Sequence, residues 1–129
     1  MSRTALDLSP QEWEKYDPAG AIRAQQARNR ESTALRRRKA LRVARKAAKH
    51  LRSVFGAQRV VLFGSLASKD RFTPWSDIDL AAWGISASNY YQAVAAVTSF
   101  SEEFKIDLVD VDNLGLDLLE SIEREGIEL

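Results

Sequence analysis

Apolar and polar residues alternate with two different periods along the chain, and the two periods separate short strands from helices. Three apolar runs predict buried strands, at residues 58–63, 78–83 and 105–111. Elsewhere apolar residues recur at the spacing of an amphipathic helix, and these helical segments are predicted over residues 9–16, 21–55, 88–100 and 114–125. The pattern therefore predicts an α/β (α+β) fold, in which a small mixed sheet is covered by helices.

The helix predicted over residues 21–55 changes character along its length. Its second half carries one apolar stripe, formed by Leu41, Ala44, Ala48, Leu51 and Phe55. Its first half, up to residue 39, has few apolar positions and is expected to project into solvent or onto a partner. The segment Asp-Pro-Ala-Gly at 17–20 predicts a break before this helix, and Gly56 predicts its end.

The remaining connections complete the predicted order of elements, which is α-β-α-β-α-β-α. Ser65 is the candidate first residue of a helix between the first two strands. The helix over 88–100 is expected to carry Tyr91, Val94, Ala95 and Thr98 on one side, and the last helix ends at Gly126.

Composition narrows the class of protein without identifying its chemistry. The chain has 129 residues, which suits one core, and it contains no cysteine, which excludes disulfides and thiolate ligands. The N-terminal residues lack the apolar core of a signal peptide, and no run is long enough to span a bilayer. We therefore expect a cytoplasmic protein that does not insert into membranes.

The net charge of +1 hides a strong asymmetry between the two halves of the chain. Residues 1–54 hold 14 Lys/Arg against 5 Asp/Glu, whereas residues 55–129 hold 5 against 13. Three interpretations of the basic helix stay open: a solvated face, a docking surface for an acidic partner or for the acidic half of a second copy, and a contact with nucleic acid. Its cations are Arg36, Arg37, Arg38, Lys39, Arg42, Arg45, Lys46, Lys49 and Arg52.

Two carboxylates at the start of the second strand are the first candidates for chemistry. Side chains alternate along a strand, so Asp77 and Asp79 point to one face while Ile78 and Leu80 point to the core. Neighbouring carboxylates repel each other and are costly to desolvate, so folding alone does not explain the pair. They are either solvent-facing residues of an edge strand or ligands of a divalent cation such as Mg²⁺, which prefers hard oxygen atoms.

Two further features favour the cation site. Asp107 lies in the third apolar run and brings a third carboxylate to the same face if the two strands pair. Gly64 and Ser65 follow the first strand, where glycine permits close approach of the backbone and the serine hydroxyl suits a phosphate. A phosphorylated substrate that carries Mg²⁺, such as a nucleoside triphosphate, would satisfy both halves of the site.

Gly-Ser, eleven residues, Asp-x-Asp and a later strand aspartate together resemble the motif of the DNA polymerase β-like nucleotidyltransferases. The sequence is most similar to the minimal nucleotidyltransferases, over roughly residues 40–129, including the closing Ser-Ile-Glu-Arg-Glu-Gly-Ile-Glu-Leu. The resemblance implies a catalytic domain at 40–129 and a basic helical extension at 1–39.

This resemblance also implies roles for individual residues. Gly64 and Ser65 would hold the β- and γ-phosphates of ATP, and Asp77 and Asp79 would bind Mg²⁺. Asp107 would bind one metal ion and help to deprotonate the accepting hydroxyl. Proteins of this kind are often paired with a HEPN-type toxin, and the resemblance implies transfer of AMP to a tyrosine of that partner.

The loop before the Asp-x-Asp motif departs from the family pattern. Many relatives have ten residues there and an Arg-Gly pair, where this chain has Ser-Lys-Asp-Arg at 68–71. Lys69 or Arg71 would therefore bind the phosphates instead. Two other functions remain as alternatives: nucleotidyl transfer to a small molecule such as an aminoglycoside, and a non-catalytic antitoxin that neutralises its partner by binding.

Overall fold

The structure, a computed structural model, describes residues 17–129. The helix predicted over residues 9–16 lies outside the described residues. The helices are α1 (Pro18–Phe55), α2 (Ala87–Thr98) and α3 (Leu116–Glu125). The strands are β1 (Arg59–Phe63), β2 (Ile78–Trp83), β3 (Ile106–Asp110) and β4 (Ile127–Glu128). Two short 3₁₀ turns, Ser65–Ala67 and Val111–Asn113, follow β1 and β3.

The four strands form one mixed sheet in the order β3-β2-β1-β4. Strand β2 runs parallel to β3, whereas β1 is antiparallel to both of its neighbours, β2 and β4. The three apolar runs of the sequence are thus the three strands β1, β2 and β3, with ends displaced by at most a residue or so. This mixed sheet with its helices confirms the predicted fold class.

The two faces of the sheet are covered by different helices. On one face Leu62, Leu80 and Ile106 pack in a large apolar cluster with buried residues of α1 and α2, such as Ala44 and Val97. On the other face a smaller cluster is built from Val61, Ala81, Val111 and Ile122, the last of these on α3. Because side chains alternate along each strand, every even-numbered core residue of β1, β2 and β3 faces α1 and α2, and odd-numbered residues face α3.

Contacts along the chain separate two units, Met1–Ser32 and Thr33–Leu129. In the described part of the first unit, Asp17 accepts a hydrogen bond from the Gly20 amide at 2.9 Å, and Pro18 is the first residue of α1. Aspartate before proline is a favourable start for a helix. The carboxylate accepts a hydrogen bond from an amide of the first turn, and proline has no N–H that would require a partner. The helix thus begins at Pro18, three residues before its predicted start at residue 21, and only Asp17 of the segment 17–20 lies outside it.

Three other local predictions also differ from the structure. The helix expected from Ser65 is only a three-residue 3₁₀ turn, so β1 and β2 are joined without an α-helix between them. The short strand β4 was not predicted. In α2 the buried residues are Ala93 and Val97, while Tyr91 is 82% exposed, so the apolar side predicted for this helix was wrong.

The part of α1 that belongs to the second unit confirms its apolar stripe. Ala44, Ala48 and Leu51 are fully buried, and Leu41 and Phe55 pack at the margin of the same cluster. Gly56 ends the helix with a φ of 73°. Among residues 17–129, no helix combines the length and the apolar character that crossing a membrane requires.

Candidate nucleotide site at one edge of the sheet

Three strand ends meet at one edge of the sheet and bring the predicted site residues together. Since β1 is antiparallel to β2, the carboxyl end of β1 lies beside the amino end of β2, and Phe63 pairs with Asp79. Since β3 is parallel to β2, its amino end lies at the same edge, and Asp79 pairs with Asp107. The condition on which Asp107 depended, that its strand lies next to β2, is met.

The acidic residues lie on the α3 side of the sheet. Ile78 and Leu80 are fully buried on the opposite face, so Asp79 between them must point toward α3. Its neighbour in register, Asp107, faces the same way, and both are half-buried. Asp77 directly precedes β2 and is also half-buried. An exposed edge strand is excluded as an explanation, because β2 has a hydrogen-bonded neighbour on each side.

The carboxylates interact electrostatically. Burial raises the pKa of Asp79 above its ordinary value, and the negative charges of Asp107 and Asp77 raise it further. Lys105 opposes this rise, and its Nζ atom lies 3.7 Å from Oδ1 of Asp107. The site thus concentrates negative charge that its own lysine only partly offsets.

The donor set fits a hard divalent cation by its chemistry. Three carboxylates on neighbouring strand ends offer oxygen atoms of the kind that Mg²⁺ binds, and their mutual repulsion would be relieved by the ion. Within residues 17–129, no three acidic or histidine side chains converge tightly enough to form a finished cation cluster as they stand. The carboxylates would have to rotate toward one another to share an ion.

Gly64 is required where it stands by its conformation and by its neighbour. Its φ of 74° and ψ of −160° belong to a region that only glycine adopts readily. A Cβ atom at this position would collide with the carboxylate of Asp79. The turn after β1 is therefore packed directly against the acidic group, which brings the two halves of the sequence motif into contact.

The 3₁₀ turn that begins at Ser65 leaves two backbone amides outside its own hydrogen bonds. Its two hydrogen bonds are donated by the amides of Ala67 and Ser68, to the carbonyls of Gly64 and Ser65, both at 3.2 Å. Neither bond uses the amides of Ser65 and Leu66. Leu66 is fully buried and anchors the turn in the core. The turn can thus offer amides and the Ser65 hydroxyl, although without the dipole of a full α-helix.

The two cations proposed for the loop differ in their surroundings. Lys69 and Arg71 are both exposed. Arg71 reaches α3, where its Nη2 atom lies 3.3 Å from Oε2 of Glu125. A role for Arg71 at a phosphate would require this exposed ion pair to open, which costs little. The loop itself is anchored by Phe72, which is 6% exposed.

Two arginines that sequence reasoning placed outside the catalytic core contact the site's supporting loops. Arg36 and Arg37, on α1, are partly buried and donate hydrogen bonds to carbonyls of loops that carry the motif. Their helical spacing in the sequence could have indicated that these two arginines are partly buried. They continue the buried stripe of α1 by one turn toward the N-terminus, since residue 36 precedes the buried Ala40 by four positions.

The crowding of carboxylates leads to a prediction about stability. Because the pKa of Asp79 is raised in the folded protein, the charged form destabilises the fold as the pH rises above the ordinary value of 3.8. Replacing Asp79 by asparagine should therefore raise the melting temperature by about 2–4 °C near neutral pH, after allowance for solvent screening of the half-buried group. Thermal melts in buffer with a chelator, from about pH 4 to pH 8, measure this difference.

The difference between the two proteins should shrink toward pH 4, where the carboxyl group of the wild type takes up its proton. Asp112→Asn is a suitable control, because Asp112 is exposed and its side chain is not part of the cluster. A destabilised Asp79→Asn protein at neutral pH would contradict the interpretation of this cluster as repulsive.

Comparison with known proteins places the chain in a family. A family model described as polymerase beta, nucleotidyltransferase matches residues 45–129. No curated protein is significantly similar in sequence to the chain. Several solved structures share the fold, among them two toxin–antitoxin complexes. One, described as a toxin–antitoxin with AMP-PNP, contains a chain with 24% identity and a TM-score of 0.51, covering 66% of this chain and 70% of that one.

The other, a mutant of the toxin–antitoxin complex MntA–HpeT, contains a chain with 26% identity and a TM-score of 0.51, covering 66% of this chain and 69% of that one. The family resemblance inferred from the motif is thereby confirmed. Since the family model covers more than half of the chain and includes the whole of the sheet edge described above, the chain belongs to the polymerase β nucleotidyltransferase family.

Proposed function

We propose that this nucleotidyltransferase moves AMP from ATP to a hydroxyl group, most favourably that of a tyrosine, on a partner HEPN-type toxin, and so acts as its antitoxin. One observation carries the proposal. The register of the sheet sets Asp79 beside Asp107 and packs Gly64 against the Asp79 carboxylate. In a chain of this family, an acidic pair against a glycine-serine turn is suited to a metal-bound triphosphate.

Each half of the site has its own task. Asp77, Asp79 and Asp107 would hold Mg²⁺, which when bound neutralises phosphate charge and stabilises the attacking and leaving oxygens. The Ser65 hydroxyl and the backbone amides of Ser65 and Leu66 would hold the β- and γ-phosphates. Lys69 is exposed in the adjoining loop and would add a cation near the triphosphate.

In the transfer itself, a hydroxyl oxygen of the acceptor attacks the α-phosphorus, and the bond to the β-phosphate oxygen breaks. The hydroxyl proton passes to a carboxylate oxygen of Asp107, and pyrophosphate leaves. The residues of the chain contribute by orienting the reacting groups and by matching charge, which is how phosphoryl-type transfer is usually accelerated.

The partner class is supported by the solved structure with 26% identity, which is a toxin–antitoxin complex. AMP-PNP, an analogue of ATP, is present in the structure of another chain with the same fold, so ATP is the first nucleotide to test. The basic face of α1 supplies a surface of suitable charge for a protein with an acidic patch. Nucleic acid and a second copy of the chain are the competing occupants of that face.

A transfer assay tests the proposal. The purified protein is incubated with Mg²⁺ and ATP labelled at the α-phosphate, in lysate of the organism that encodes it. We expect label on one small protein, from the α-position only, because the γ-phosphate leaves with pyrophosphate. ATP labelled at the γ-phosphate and the Asp77→Asn/Asp79→Asn double variant are the controls, and neither should place label on that protein.

Other outcomes of the same assay identify the competing functions. Label on a small molecule in place of a protein would reassign the acceptor to a compound such as an aminoglycoside. No transfer with any nucleotide, in lysate shown to contain the partner, would contradict catalysis. If the double variant nevertheless protected cells from the toxin, neutralisation by binding alone would be the remaining explanation.

A further inference from the structure

Arg37 of α1 holds the turn that contains the predicted phosphate-binding residues. Its Nε and Nη2 atoms donate hydrogen bonds to the carbonyl oxygen of Leu66, at 3.2 and 3.0 Å. Leu66 directly follows Ser65, and its side chain is fully buried. The turn is therefore fixed from both sides, by the core through the leucine side chain and by α1 through the carbonyl.

Arg36 donates hydrogen bonds to the other two segments that lead into the site. Its Nε atom donates to the carbonyl of Pro74 at 2.8 Å, three residues before Asp77. Its Nη2 atom donates to the carbonyl of Glu103 at 3.2 Å, four residues before Asp107. The guanidinium also lies over the ring of Phe104, 4.4 Å from its centroid. Two consecutive arginines thus contact all three segments whose ends meet at the site.

We propose that Arg37 is a positioning residue of the nucleotide site, which sets the direction of the Ser65 and Leu66 amides through its two hydrogen bonds to the Leu66 carbonyl. This inference rests on the proposed function. It also goes beyond it, because Arg37 precedes the part of the chain that matches the family model, residues 45–129. The basic helix is then part of the nucleotide site in addition to any role it has at a partner.

The chemistry of the guanidinium explains why arginine is needed. The Leu66 carbonyl shares a rigid peptide plane with the Ala67 amide, which donates a hydrogen bond to the Gly64 carbonyl. Holding this plane therefore holds the closed turn that carries the Ser65 and Leu66 amides. A planar guanidinium that donates two N–H groups to one oxygen defines a direction, whereas the ammonium of lysine supplies charge without that geometry. Lysine at position 37 therefore separates positioning from simple attraction of phosphate.

Nucleotide binding in the full-length protein is the first measurement. Calorimetry with Mg²⁺ and an ATP analogue whose α–β bridge is a methylene group reports binding without transfer or an acceptor. We expect Arg37→Gln to weaken binding at least about tenfold and Arg37→Lys to weaken it nearly as much. The matched control is Arg38→Gln, which removes the same charge from an exposed neighbour and should stay within about twofold of wild type.

Amide hydrogen exchange without nucleotide is the second measurement, and it separates positioning from general support of the fold. Arg37→Gln should speed exchange at residues 64–68 and leave the central strand β2 as slow as in wild type and in Arg38→Gln. A uniform rise in exchange across the sheet would overturn the inference, because the arginine would then act only on stability.

Two binding results would overturn the inference without touching the proposed function. These are wild-type affinity in Arg37→Gln, and full recovery of affinity in Arg37→Lys, which would reduce the role of Arg37 to its charge. If the wild type itself binds no nucleotide in the presence of Mg²⁺, the proposed function fails and the assignment of Arg37 to a nucleotide site fails with it. The wild-type titration thus distinguishes the two failures.

Discussion

Replacing Asp79 by asparagine is expected to lower nucleotidyl transfer at least about 1,000-fold while the protein remains folded. Asp79 occupies the centre of the acidic cluster, with Phe63 on one side and Asp107 on the other in the register of the sheet. An amide has one neutral oxygen where the carboxylate has two that share a charge, so it binds Mg²⁺ poorly. The assay is transfer of α-labelled AMP to the partner, measured at saturating ATP.

The same variant should be at least as stable as the wild type, because it removes a charge that its neighbours repel. Loss of activity together with an unchanged or raised melting temperature is the result that a ligand role predicts. Asp112→Asn is the matched control, since it makes the same change at an exposed carboxylate outside the cluster. Retention of more than about a tenth of wild-type transfer by Asp79→Asn would contradict the role given to this residue.

The sheet was largely predictable from the sequence because its signal is local. Each of β1, β2 and β3 is an apolar run bounded by polar or glycine residues, and in each the alternation of side chains assigns the faces. That alternation also predicted Asp79 opposite Ile78 and Leu80. What the sequence left conditional was the pairing of β2 with β3, since strand neighbours are decided by contacts between distant segments.

Elements with little local signal were missed. Strand β4 consists of Ile127 and Glu128, and two residues are too few to show the alternation of apolar and polar side chains. The strand is defined by its pairing with β1. The turn at Ser65 stops after three residues, although its sequence is compatible with a longer helix. In α2 either of two adjacent tyrosines could have marked the buried face of the helix. The face with Tyr90 is the one that packs on the sheet, and the Tyr90 hydroxyl donates a hydrogen bond to the Leu108 carbonyl at 2.7 Å.

The roles of Arg36 and Arg37 show a different limit of prediction from the sequence. A run of four cations at 36–39 indicates a solvated face by composition, and only the helical phase separates its members. Arg36 and Arg37 fall on the side of the buried Ala40 and Ala44, whereas Arg38 and Lys39 are exposed. The targets of the two arginines are backbone carbonyls 29 or more residues away, which no local pattern reveals.

Replacing Gly64 by alanine is expected to destabilise the fold by about 2–4 kcal/mol and to lower transfer at least about 100-fold. The loss of stability has two causes, a backbone conformation that suits only glycine and a collision of the new methyl group with the Asp79 carboxylate. The loss of activity follows from the second cause, because the methyl group must displace the carboxylate that is proposed to bind Mg²⁺. Urea denaturation measures the free energy of unfolding, and the AMP-transfer assay measures activity.

Two further experiments separate the contributions of backbone conformation and steric collision to the loss of stability. Gly56 also has a positive φ, 73°, but a Cβ atom there would meet nothing within 4 Å, so Gly56→Ala reports the cost of a positive φ without a steric collision, about 1–2 kcal/mol. In a double-mutant cycle, Asp79→Ala should recover part of the stability lost in Gly64→Ala, with a coupling of about 1 kcal/mol or more, while transfer stays absent. Additive losses in the cycle would mean that the turn and the acidic cluster are independent, and Gly64 would then act on the fold alone.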